Sequence, residues 1–312
     1  MTRITTFQRI ALCMLLPLTL SADTEHQRSI ARQQQAAALS SIVGAFIAQE
    51  QSRDHIINLA GKQRMLTQKM AKLSLMTAMH LSPQHTIKRL RSAADLYDRT
   101  LTAFDRGDST LQITVAKDPH VRQQIATLKK MWHPFYTAIQ TLTATSGSDK
   151  QALAYIVRHN EALLSASDTL VQRFKKAYAP TQNFIEAQRS RIIDIAGRER
   201  MLTQRMTKAK LMLIAGIDKP QSRKQLQETI GAFDTALHAL IHGDAALKIP
   251  RPTNPELIGA LASVDRLWRR LKPHYLASHP AKREIVEILT QNEPLLQKMD
   301  HAVKLYEKLA DY

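Results

Sequence analysis

The chain has 312 residues, with 44 Lys+Arg against 27 Asp+Glu and a formal net charge of +17. That length suits about two domains of roughly 100–200 residues each, and a hydrophobic content of 44% is enough for a buried core. Only 9 glycines and 5% aromatic residues argue against Gly-rich phosphate loops, hairpin-rich sheets and a Rossmann nucleotide site. The one cysteine, Cys13, excludes a disulfide scaffold, an Fe–S cluster and a thiolate zinc site. The histidines show no His-Glu-x-x-His or other ligand spacing, so no metal or cofactor is expected.

Arg3 and Arg9 precede an apolar run from Ile10 to Leu20, followed by Ser21-Ala22. This order reads as a secretory signal peptide over residues 1–22. The run is shorter than the roughly 20 residues of a membrane span. An uncleaved signal anchor is the rival reading. Cleavage would remove the only cysteine and leave a periplasmic chain. Export sets nucleic acid aside as the partner of the positive charge. Small anions, an anionic envelope surface or an acidic protein remain.

The rest of the chain is a repeat. Residues 57–76 read INLAGKQRMLTQKMAKLSLM and residues 193–212 read IDIAGRERMLTQRMTKAKLM, identical at twelve of twenty positions with an offset of 136. The same offset pairs Gly107-Asp108 with Gly243-Asp244, Asp118-Pro119 with Asn254-Pro255, and Trp132 with Trp268. Asn160-Glu161 pairs with Asn292-Glu293 at offset 132. The first copy spans 26–178 and the second 180–312, joined at Tyr178-Ala179-Pro180.

Each unit reads as four helices. The first carries the motif and ends near His80 or Gly216. The second starts at Pro83 or Pro220 and stops at Gly107 or Gly243. Asp118 and Asn254 cap the third, which carries Trp132 or Trp268. The fourth runs from about Asp149 to Tyr178, or from about Pro280 to Leu309. No segment alternates with period two. The fold class is therefore all-α, two tandem up-down four-helix bundles. Residues 26–45 extend the first helix or are mobile once the signal peptide is removed.

Taken as a helix, the motif has two stripes. Ile56, Leu59, Gln63, Leu66, Met70 and Leu73 form a bundle seam, matched in the second copy with Glu199 at the Gln63 position. A polar residue there suits the edge of a seam. About 100° round the helix lie Gly61, Arg64 and Gln68, matched by Gly197, Arg200 and Gln204. A mid-helix glycine costs roughly 0.5–1 kcal/mol relative to alanine, and makes room for a close neighbour. An arginine fork suits carboxylate, nitrate or phosphate. If the copies pack through these stripes about a pseudo-twofold axis, Arg64 and Arg200 face each other. Two such charges about 6 Å apart at a dielectric near 20 repel by roughly 3 kcal/mol, which a bound anion would cancel. Guanidinium groups within about 10 Å, too close to be screened from each other, are the geometric mark of this arrangement. Otherwise the arginines are surface groups over a core helix. Lys72 and Lys208 lie near the same face, Lys69 and Arg205 about 140° away.

At these residues the sequence resembles the PilJ-type sensor domain of type IV pilus chemotaxis receptors, and the related periplasmic sensor domain of nitrate/nitrite-responsive histidine kinases. The resemblance rests on Ile57-Asn58-x-Ala60-Gly61-x-x-Arg64-Met65-Leu66-Thr67-Gln68-x-Met70-x-Lys72 and its copy from Ile193 to Lys208. It implies a four-helix sensor with a nitrate or nitrite ligand held between two subunits; no nucleophile–base pair, carboxylate pair or metal constellation recurs in both copies, so no enzyme is expected. The ligand role then falls on Arg64 and Arg200, access on Gly61 and Gly197, and the second basic position on Lys69 and Arg205. Leu59 and Ile195 stand where the nitrate sensors carry a basic residue, and Asp194 replaces Asn58. The implied partners are a small oxyanion and a membrane-bound receptor or kinase. The molecule is a monomer with pseudo-twofold repeats, or a homodimer. The alternative is a ligand-free basic helical module docking on an envelope or pilus-associated protein.

Overall fold

The structure is a computed structural model that describes residues 25–179 and 184–308. The expected signal peptide at residues 1–22 and the junction residue Pro180 lie outside the described residues. Eight helices follow in chain order among those described: α1 (Glu25–Ala78), α2 (Pro83–Arg106), α3 (Pro119–Ala144), α4 (Lys150–Tyr178), α5 (Phe184–Ile214), α6 (Lys219–His242), α7 (Pro255–Leu276) and α8 (Lys282–Lys308). The chain is all-α, with two isolated β-bridges, Asp108 to Ile113 and Asp244 to Ile249, at matched places. No helix among the described residues is long and apolar enough to cross a membrane.

Local chemistry sets these boundaries. The side chains of Asp118, Asp149 and Asn254 accept the backbone N–H of Val121, Ala152 and Leu257, the bond that starts a helix. Gly107 and Gly243 end α2 and α6 at φ 82° and 79°, where a side chain would be strained. Asp108 and Asp244 then accept from Leu111 and Leu247 and close the same small turn in both repeats. The N-terminal extension is helical, since α1 begins at Glu25.

Residues from Glu50 onward form one compact unit, and those before it form another. Within the larger unit the second repeat is a ring. Helix α5 packs on α6 and α8, α8 on α7, and α7 on α6. In the first repeat α2 packs on α3, and α3 on α4. Hydrogen bonds close that ring: Gln63 on α1 donates to Tyr97 O on α2, and Asn160 on α4 donates to Thr67 O on α1. Trp132 and Trp268 are buried core residues whose indole N–H donates to Asp98 and Asp234 at 2.8 and 2.6 Å. The polar tip is satisfied while the ring fills the core.

The motif helices are buried over most of their circumference, and the strip that reaches solvent is narrow, with Lys62 and Lys69 on α1 and Ile195, Arg198 and Arg205 on α5. Such a helix belongs to the middle of a structure rather than its surface. This corrects the placement of Gln63 and Glu199 at a seam edge, since both are fully buried. Each ring needs one face of its motif helix, and the remaining face meets the other repeat.

Candidate functional site

Helices α1 and α5 meet at Gly61 and Gly197. A Cβ on Gly61 would lie 3.4 Å from Arg64 Nη2 and 3.7 Å from Arg200 Nη2, and one on Gly197 3.3 Å from Arg200 Nη2 and 3.9 Å from Arg64 Nη2. Both guanidinium groups therefore reach within 4 Å of one point, inside the approach expected of facing arginines. The arginines are 1% and 0% exposed, so the reading of them as surface groups is set aside.

Each arginine clasps both repeats. Arg64 Nη1 donates to Asp168 Oδ1 on α4 of its own repeat at 2.8 Å, and Nη2 to Asp194 Oδ1 on α5 at 2.7 Å. Arg200 Nη1 donates to Asp300 Oδ1 on α8 at 2.7 Å, and Nη2 to Asn58 Oδ1 on α1 at 2.6 Å. The backbone carbonyls of Asp194 and Asn58 take a second, longer bond of 3.4 Å each. One turn earlier, Ser190 donates to Asp54 at 3.1 Å across the same axis, and these too are matched positions.

This corrects the expectation of bare repulsion between two arginines. Asp168, Asp194 and Asp300 already offset both charges. Burial pushes the Asp194 carboxyl up, but Arg64 and Lys175 outweigh it and hold it well below the usual carboxylate range. For Arg200 burial prevails over Asp300 and draws the guanidinium down. Nε of both arginines is buried without a partner.

The two halves are matched in shape but not in charge. Asp194 accepts from Lys175 Nζ at 2.8 Å. Its counterpart Asn58 donates to Glu307 Oε2 at 2.6 Å. Lys175 and Glu307 occupy equivalent places on α4 and α8, so an acid–base pair in one half becomes an amide–acid pair in the other. Glu307 also bonds His55 Nδ1 at 3.0 Å, while His55 Nε2 bonds Leu111 O at 2.9 Å. Both partners accept only, so the ring is satisfied as imidazolium, and the Glu307 bond raises its pKa against the effect of burial.

Lys69 and Arg205 lie away from the arginine pair. Lys69 bonds Glu293 at 2.8 Å and Arg205 bonds Glu161 at 2.7 Å, each reaching the fourth helix of the other repeat. Arg89 also pairs with Glu293. Lys72 and Lys208 are buried beside these groups. Lys72 donates to Asn292 at 2.6 Å and Lys208 to Asn160 at 3.0 Å. The structure thus brings Gly61, Gly197, Arg64 and Arg200 together and puts Lys69 and Arg205 in a separate layer. Sequence reasoning missed Asp168, Asp300 and the roles of Asn160-Glu161 and Asn292-Glu293. The last two pairs recur in both copies, which was a usable signal. Asp168 and Asp300 also recur, at offset 132, two turns after those pairs on the same helices.

Compared with known families, the sequence matches the one described as PilJ, type IV pili methyl-accepting chemotaxis transducer N-term, over residues 45–159 and again over 182–300. No curated protein sequence matches it.

Proposed function

The chain belongs to the PilJ family of chemotaxis-transducer sensory domains, and from that premise we propose that it is a periplasmic sensor of a small oxyanion, nitrate or nitrite by resemblance. It passes its state to a membrane-bound signalling partner. The observation that carries the reading is the crossed arginine clasp, Arg64 on Asp194 and Arg200 on Asn58, beside two glycines. An anion between the arginines takes over the Nη2 donors that now hold Asp194 and Asn58. The Nη1 bonds to α4 and α8 remain. Binding therefore trades a direct bond between α1 and α5 for one through the ligand, a two-state element with a ligand bias.

Isosteric variants test this without emptying the core. Asp194→Asn removes a competing carboxylate and copies the arrangement at Asn58, so it strengthens binding. Asn58→Asp adds a competitor and weakens it. Calorimetric titration with nitrate and nitrite reads both. A ligand at 100 times its Kd adds about 2.7 kcal/mol of stability. No binding of either anion to the parent protein or to Asp194→Asn sinks the oxyanion reading.

One observation favours the ligand-free interaction module as the second reading: three carboxylates already compensate the arginines. That reading predicts salt-sensitive capture of an envelope protein that is indifferent to nitrate and nitrite.

A further inference from the structure

The two repeats differ in length at one end. From the motif to the tryptophans they run at offset 136, and by Asn160 and Asn292 the offset is 132. The missing four residues amount to about one helical turn. Helix α3 has 26 residues and α7 has 22. In the first repeat the extra turn and the bend after it close the bundle end. Gly147 donates its N–H to Leu142 O at 2.8 Å, and a Cβ there would stand only 2.5 Å from Thr77 O. A small cavity of about 280 Å³ remains, lined by Arg91, Asp95 and Tyr136 among others.

In the second repeat the same end is open. A cavity of about 540 Å³ lies between α5, α6 and the segment after α7, within the ~300–1,000 Å³ of small-molecule sites. Its lining contains Lys210, Lys219, Arg223 and His279 and no acid, and Glu284, just outside the lining, is the one acid that acts on Lys210 among the described residues. The matched positions for the first three are Ser74, Pro83 and Ile87, so this charge belongs to the second repeat alone. Lys210 is buried, and its Nζ donates to Tyr275 O at 3.1 Å and Ala277 O at 2.6 Å. An ammonium has three donors, and Lys210 has no third partner among the described residues. Leu226, Ile230 and Tyr275 make an apolar floor. Ile214 and Leu276 stand at the rim, 37% and 54% exposed.

We propose that this cavity binds an organic carboxylate with an apolar body. The carboxylate meets Lys210 and the planar fork of Arg223, with Lys219 adding positive field and His279 offering a ring nitrogen. The apolar body lies on the floor and covers Ile214 and Leu276. The site is independent of the arginine pair between the repeats.

Calorimetric titration of the full chain with octanoate tests this, with 1-octanol and acetate as the charge-free and body-free probes. One octanoate binds per chain, and neither acetate nor octanol matches its affinity. Arg223→Ala and Leu276→Asp, both at exposed positions, each weaken octanoate by about tenfold or more with thermal stability kept. Asp194→Asn leaves octanoate binding unchanged, which separates this site from the anion site between the repeats. Absence of octanoate binding, octanol binding as strongly as octanoate, or affinity unmoved by both substitutions overturns the proposal.

Discussion

Glu199 stands where the first repeat has Gln63, and the difference has a measurable cost. Gln63 donates to Tyr97 O, whereas both Glu199 oxygens are buried without a partner. Burial holds the Glu199 carboxyl protonated well above its ordinary value of 4.5. The unfolded chain releases that proton near the ordinary value, so stability falls as pH climbs from there toward the folded-state value. Glu199→Gln removes the buried ionisable group and restores the amide that Gln63 carries at the matched position. It should stabilise the protein by about 1–3 kcal/mol at neutral pH, with the gain shrinking toward pH 4 in urea titrations. Asp194 titrates the other way. Its depressed pKa supplies stability above the ordinary 3.8, lost as pH falls through the folded-state value. Asp194→Asn should therefore flatten the acid limb of the stability profile, and an unchanged limb would show that Asp194 carries none of it.

At the scale of elements, α4 and α8 join the repeats. Asn160 donates to Thr67 O on its own repeat's motif helix and accepts from Lys208 of the other. Asn292 does the same for Thr203 O and Lys72. Asn160→Ala strands a buried carbonyl and the Gln68 amide while Lys208 keeps Glu161, at about 1–3 kcal/mol, and Asn292→Ala strands a buried carbonyl and the Lys72 ammonium and should cost a similar amount. Chemical denaturation of the two variants measures this, and a large inequality would argue against their symmetric roles. The helix boundaries were legible because caps and stops are local: Asp118, Asn254, Gly107 and Gly243 act within a few residues of themselves. The carboxylate partners were not. Whether Asp168 faces Arg64 depends on how α4 is rotated against α1, and a separation of 104 positions does not state that rotation. The arginine pairing itself was legible, because a motif repeated with its glycine constrains both partners at once.

For the whole molecule, the charge exchange at Lys175–Asp194 and Glu307–Asn58 governs which halves pair. Two copies of the second repeat would set Asp194 beside Glu307, a like-charge contact. Lys175→Glu creates the same clash within one chain, and Asp194→Asn in that background should remove it by rebuilding the Glu307–Asn58 pair. The single variant loses stability, by less than the ~3–5 kcal/mol of a fully buried pair because Lys175 is partly exposed. The double variant regains most of the loss, and a purely additive pair would refute the coupling. The clasp has a further consequence in dilute conditions. A receptor assembled from two separate chains loses its shared site when copies are scarce. Here the second half is tethered, so its local concentration is fixed by covalent linkage and not by expression level. A single molecule carries the whole interface, so the pairing of the two repeats should stay the same from abundant to trace amounts of protein.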